Sequence, residues 1–131
     1  MTPNILLVDD DINYRKLIKE TLCLALPSLY VQEAGDGEEA FQKIEACLPD
    51  IIFMDIRLPG KNGLVLTQKI KKHYPDVDIA ILTSYDLPEY QEAATKNGAK
   101  YFLLKNTIIP IGITNMIQDW IDRHEKNQRV R

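Results

Sequence analysis

The residues best equipped for chemistry each close a short aliphatic run. Val8-Asp9-Asp10-Asp11 ends the first run, Met54-Asp55 a second, Leu82-Thr83-Ser84 a third and Leu104-Lys105 a fourth. If those runs are neighbouring strands, one small crevice holds three carboxylates (Asp9, Asp10, Asp55), a hydroxyl and an ammonium. Carboxylates crowded at one rim repel and raise one another's pKa unless a cation intervenes. A hard divalent ion relieves that repulsion, and Mg2+ takes one or two carboxylates together with waters and a substrate phosphate. With the ion bound, an ionised aspartate can attack phosphorus and form an acyl phosphate. Thr83 can then hydrogen-bond one phosphoryl oxygen while Lys105 pairs with another. The set suits metal-assisted phosphoryl transfer to a carboxylate.

The elements that must position these groups are legible in the hydropathy. Residues 4–8, 29–33, 50–54, 78–82 and 100–104 read as strands. All but the second are continuously apolar, as strands covered on both faces are. The more polar second suits a sheet edge. Helical periods separate them. Tyr14, Leu17, Ile18, Thr21 and Leu22 share one face of a helix capped by Asp11, and Ala40, Phe41, Ile44, Cys47 and Leu48 share a face of the next. Asp36 with Glu39 forms a capping-box-like start for that second helix. Leu66 and Ile70 mark a third helix, and Tyr90, Ala93 and Ala94 a fourth that Gly98 terminates. A fifth opens at Pro110 and carries the stripe Ile113, Met116, Ile117, Trp120, Ile121. Alternating strands and helices with short loops imply one doubly wound α/β domain, a parallel sheet with helices on both faces. In that architecture sites lie beyond the carboxyl ends of the strands, where the four motifs sit.

Composition narrows the class further. The chain has 131 residues, 45% hydrophobic and 27% charged, a globular balance at single-domain size. A net charge of −3 argues against broad nucleic-acid binding, which needs a positive surface. No apolar run approaches a membrane span, and no leader follows Met1. Cys23 and Cys47 show neither metal-ligand spacing nor a disulfide framework, which fits a reducing cytoplasm, and both read as small core residues on helices. His73 and His124 lack an acidic or cysteine ligand pattern and read as solvent-exposed. The charged end, residues 123–131, reads as a tail or the start of a linker after a domain over residues 1–122.

These motifs, in this order and each at a strand end, resemble the receiver domain of bacterial two-component response regulators. Gly35-Asp36-Gly37-Glu38-Glu39-Ala40, Met54-Asp55-Ile56-Arg57-Leu58-Pro59-Gly60 and Asn97-Gly98-Ala99 add to the resemblance, which covers residues 4 to 122. It implies a flavodoxin-like strand order, 2-1-3-4-5. It also implies that Asp55 is the phospho-acceptor and that Asp9, Asp10 and Asp55 hold Mg2+ with the backbone carbonyl of Arg57. Thr83 and Lys105 would contact the phosphoryl group, and Phe102, three residues before the lysine, would be the switch aromatic moving with Thr83. The implied partners are a sensor histidine kinase upstream and an output domain or downstream protein, such as a helix-turn-helix DNA-binding domain outside this chain. A phosphorylation-dependent homodimer is also implied. Such a domain catalyses only its own phosphorylation and dephosphorylation.

Three positions depart from the family pattern. Asn106 follows the lysine in place of a proline, and a cis bond before a non-proline residue costs about 2.5–4 kcal/mol. Ser84 replaces a small residue, often alanine, and Phe102 lacks the hydroxyl of the more familiar tyrosine. Rival functions fit less well. An Asp-nucleophile phosphohydrolase needs a second aspartate where Arg57 stands, and a flavin or dinucleotide site needs a Gly- or Ser/Thr-rich loop where three aspartates would repel phosphate. A phosphorylation-independent pseudo-receiver, acting as a binding module, would have lost Asp55, Asp10 or Lys105, and all are present.

Overall fold

The computed structural model describes residues 2–129. In chain order the elements are β1 (Asn4–Val8), α1 (Ile12–Ala25), β2 (Tyr30–Ala34), α2 (Gly37–Ala46), β3 (Ile51–Met54), β4 (Arg57–Leu58) and β5 (Lys61–Asn62). They continue with α3 (Gly63–His73), β6 (Asp78–Thr83), α4 (Pro88–Lys96), β7 (Tyr101–Leu104) and α5 (Pro110–Arg129). Five strands pair in parallel in the order β2-β1-β3-β6-β7, which is 2-1-3-4-5 counting the main-sheet strands alone. The doubly wound fold expected from the alternation is therefore present.

Side chains alternating along the strands separate two apolar layers, as the two-residue period requires. Leu6, Val8, Ile52, Met54, Ile79 and Ile81 pack beneath Ala40, Ile44, Leu66, Ile70 and Ala94, on the side of α2, α3 and α4. Ile5, Leu7, Phe53, Ala80 and Leu82 face Ile18, Leu22, Ile113, Ile117 and Trp120 on α1 and α5. Each fully buried aliphatic side chain contributes roughly 1.5–3 kcal/mol. Strand register sets the functional rim. Val8 aligns with Met54, Met54 with Ile81 and Thr83 with Leu104, so the residues following these strands emerge along one edge.

Several local expectations change. β2 begins at Tyr30, because the Leu29 N–H is already committed to the Leu26 carbonyl. β7, read as covered on both faces, is the second edge of the sheet and only half-buried. A two-residue hairpin absent from the strand reading, β4–β5, turns at Pro59-Gly60, where Gly60 takes φ +74°. Cys23 and Cys47 are exposed rather than core. Cys47 lies one residue past the end of α2, in extended backbone, where its Sγ accepts from Asn4 Nδ2 at 3.0 Å. Leu17, assigned to the inner face of α1, is 48% exposed. His124 does have an acidic neighbour: it stacks on Trp120 with its Nε2 3.7 Å from Asp78 Oδ2, the carboxylate that accepts the Trp120 Nε1–H at 2.7 Å. The boundary placed between residues 122 and 123 falls inside α5, and residues 130 and 131 of the tail lie outside the described residues.

Candidate functional site

Asp9 and Asp10 leave the end of β1 and Asp55 the end of β3, which Asp55 N–H extends by one bond to the Val8 carbonyl at 3.0 Å. One carboxylate oxygen from each of the three lies within 4.8 Å of the others. Asp9 and Asp55 are buried and Asp10 is exposed. Lys105, carried past β7 by its N–H bond to the Thr83 carbonyl at 2.9 Å, reaches back between the two buried acids. Its Nζ lies 2.5 Å from Asp9 Oδ2 and 2.9 Å from Asp55 Oδ2. The second oxygens are held by main chain: Asp9 Oδ1 accepts from Asp11 N–H at 2.9 Å, and Asp55 Oδ1 from Ile56 N–H at 2.7 Å. Asp11 takes no part in the cluster and caps α1 through Tyr14 N–H at 3.0 Å, as expected.

The charges do not balance. Three carboxylates meet one ammonium, leaving two negative charges in a partly buried crevice with oxygen donors only. Burial pushes the Asp9 carboxyl up from its ordinary value, more than the Lys105 hydrogen bond and the Asp11 N–H pull it down, and the Asp55 charge adds to the rise. For Lys105 burial works against the charged form, yet the Asp9 and Asp55 carboxylates outweigh it and hold the ammonium above its ordinary value. A divalent hard cation is the complement of this donor set, and Mg2+ fits it.

The remaining site residues flank this cluster. Thr83 is fully buried at the end of β6, and its Oγ1 accepts a long 3.4 Å bond from Tyr85 N–H. Ser84 is exposed at the mouth. Phe102 is partly buried against the α2–α4 layer. The Arg57 guanidinium lies 4.1 Å over the Tyr85 ring. Among the described residues no peptide bond is cis.

Three contributors escaped the sequence reading. Tyr14, assigned there to the core stripe, also places its ring 4.4 Å from Lys105 Nζ. Arg15 donates from Nη1 to the Asp9 carbonyl. Gly63 opens α3 directly beneath Asp55: a Cβ there would lie 1.8 Å from the Asp55 carbonyl oxygen. Only the motif order could have signalled Gly63, since nothing in its own neighbourhood marks the contact.

Comparison with known proteins agrees with this geometry. The family model described as "Response regulator receiver domain" matches residues 5–117. The oxygen regulatory protein NreC of Staphylococcus carnosus is 47% identical over 77 residues, 58% of this chain and 36% of that protein. NreC of Staphylococcus haemolyticus is 46% identical over the same shares. The matched region therefore spans about a third of those relatives' length. Among solved structures, a CheY-like receiver domain from Methanospirillum hungatei superposes with TM-score 0.88 and 27% identity, covering 97% of this chain and 99% of that one. The signal receiver domain of a response regulator NarL from Mycobacterium tuberculosis gives 0.82 and 28%, covering 90% and 94%. With the strand order, the acidic triad and the strand-end lysine in place, the chain belongs to the response regulator receiver domains of two-component systems.

Proposed function

We propose that this domain accepts a phosphoryl group from a sensor histidine kinase onto Asp55, in a Mg2+-dependent reaction, and thereby switches the surface it offers an output domain or downstream protein. The observation that carries this is the Lys105 ammonium held between the buried Asp9 and Asp55 carboxylates, with Asp10 alongside. Asp9, Asp10, Asp55 and the Arg57 carbonyl would hold Mg2+, which when bound neutralises the acids and the charge on the incoming phosphoryl oxygens. An Asp55 carboxylate oxygen bonds to phosphorus while the bond from phosphorus to the donor's imidazole nitrogen breaks, the electron pair leaving with nitrogen. Lys105 turns from Asp55 Oδ2 to a phosphoryl oxygen. Thr83 gives up its long bond from Tyr85 N–H and donates to another. The vacated space lets Phe102 pack inward, and the surface of α4, β7 and α5 shifts with it. The domain acts on no other substrate.

The match to about a third of NreC supports an output domain beyond the matched region; we propose that it is of the helix-turn-helix DNA-binding kind and that phosphorylated copies pair. The phosphodonor kinase works in the cytoplasm, where we place the domain. Among the described residues no helix is long and apolar enough to cross a membrane. The chemistry is checked by treating the acetyl-phosphate-loaded protein with hydroxylamine. Hydroxylamine attacks the acyl carbon of an aspartyl phosphate, leaving a hydroxamate on the protein and expelling inorganic phosphate, and Asp10→Asn takes up at least tenfold less; a hydroxylamine-stable phosphate would refute the aspartyl linkage.

The Arg57–Tyr85 stack sets a second expectation. Both side chains sit two residues beyond a reactive position, and stacked together they would screen the acyl phosphate from an attacking water. Replacing both by alanine is expected to shorten the phosphate's lifetime several-fold, read by the decay of phosphorylated protein after donor removal. An unchanged lifetime would dismiss the gate.

A further inference from the structure

We infer that Arg15, anchored by Glu33, is a positioning residue that fixes Asp9 for the divalent cation; the inference rests on the Mg2+ reading above. Every polar group of Asp9 has a partner in the protein. Its N–H donates to the Ala34 carbonyl at the end of β2 at 3.0 Å. Its Oδ1 accepts from Asp11 N–H. Its carbonyl accepts from Arg15 Nη1. Its Oδ2 pairs with Lys105 Nζ at 2.5 Å. The partners that are side chains are Lys105 and Arg15, and the guanidinium enters from α1 beside the end of β2.

Arg15 is itself held from the other side. Its Nε donates to Glu33 Oε1 at 3.2 Å, with the Arg15 side chain 14% exposed. Glu33 also draws Lys19 to within 3.6 Å, so its charge stays compensated when Arg15 turns inward. The turn after β2 is bare where the guanidinium passes: a Cβ on Gly35 would come within 3.3 Å of Nη1. A planar guanidinium can span a carboxylate and a carbonyl at once, which an ammonium on a flexible stem cannot do as well. The clamp thus ties three elements, β1, α1 and β2, to the backbone of one metal-facing aspartate without touching the ion. Outer groups of this kind orient ligands, and losing one typically costs 10–100-fold in metal affinity.

The test is a Mn2+ titration of the whole chain by electron paramagnetic resonance, with Mg2+ competition and a thermal melt of each variant. Arg15→Met is expected to weaken Mn2+ binding about tenfold or more. Arg15→Lys should recover part of the affinity. Glu33→Gln should weaken binding by a smaller factor, with no further loss when combined with Arg15→Met. Mn2+ affinity within twofold of wild type in Arg15→Met, whatever its melting temperature, overturns the clamp. If Arg15→Met does not fold, Glu33→Gln decides in its place: weaker binding supports the clamp and unchanged binding overturns it. A wild-type domain that takes up no Mn2+ overturns both the clamp and the metal reading, a result distinct from the other two.

Discussion

Gly63→Ala is expected to damage both the fold and the site, out of proportion to the one carbon it adds. The new Cβ would stand 1.8 Å from the Asp55 carbonyl oxygen, 2.8 Å from its carbonyl carbon and 3.0 Å from Ile56 Cα. All three are backbone atoms and cannot swing aside. Two bonds hold the approach from either end: Gly63 N–H donates to the Ile56 carbonyl at 2.6 Å, and Thr67 Oγ1 donates to the Gly63 carbonyl at 2.8 Å. Relief therefore requires α3 to back away from β3, or the Asp55–Ile56 peptide to shift and carry the acceptor carboxylate with it. Overpacking of this severity costs roughly 3 kcal/mol or more, a fall in Tm of roughly 10–15 °C at this size. Phosphoryl uptake should drop at least tenfold in whatever fraction folds. Gly60→Ala is the control: nothing lies within 4 Å of its Cβ, and only its φ of +74° opposes a side chain, so its cost is about 1–2 kcal/mol. Equal effects of the two substitutions would show that close approach beneath Asp55 is not the cause.

Lys105→Met should produce the second large effect, with a pH signature. Methionine keeps the stem and removes the ammonium from between two carboxylates whose side chains are only 6% and 8% exposed. Stripping one partner from a buried charge group costs about 3–5 kcal/mol. A site at a rim, able to recruit protons or cations, should fall toward the lower end. Because the folded protein holds the Lys105 proton more tightly than the unfolded chain does, this stabilisation is fully present at neutral pH. It is lost as pH rises through the raised value, so wild type and variant should converge in alkali. They should also converge in acid. The Asp9 carboxyl is raised, so its proton favours the folded state at low pH and the ionised form costs stability as pH climbs through that value. Urea melts in the presence of EDTA across this range would show the widest gap near neutrality. Added Mg2+ would narrow it by replacing the lost positive charge. A gap independent of both pH and metal would mean that Lys105 contributes packing alone.

How much of this was legible in the residues follows a physical line. Uninterrupted aliphatic runs announced β1, β3 and β6, because strands covered on both faces leave no polar positions. Motifs at strand ends were equally plain, since parallel pairing puts those ends on one rim. The groups expected to meet there, Asp9, Asp10, Asp55 and Lys105, do meet. The misreadings concern where periodicity stops. Cys47 and Leu48 continue the α2 stripe on paper, but Pro49 follows and the backbone is extended by Cys47, so neither reaches the core. The fifth strand is as apolar as the third, and only sheet order makes it an edge. Arg15, Tyr14 and Gly63 act through contacts across elements. A guanidinium on one helix reaching the carbonyl of the preceding strand, or the start of a helix lying against a peptide eight residues earlier, has no periodic signature.

The central claim is that Asp55 accepts a phosphoryl group with the help of a divalent cation, and intact mass tests it most directly. Wild type and Asp55→Asn are incubated with acetyl phosphate, each with Mg2+ and with EDTA, and weighed by mass spectrometry. The expected result is a gain of one phosphoryl group in wild type with Mg2+ and in no other sample. A gain that persists in Asp55→Asn, or that ignores the metal, would contradict the account. No gain in any sample would do so as well, and would point to a domain whose unmodified surface does the binding.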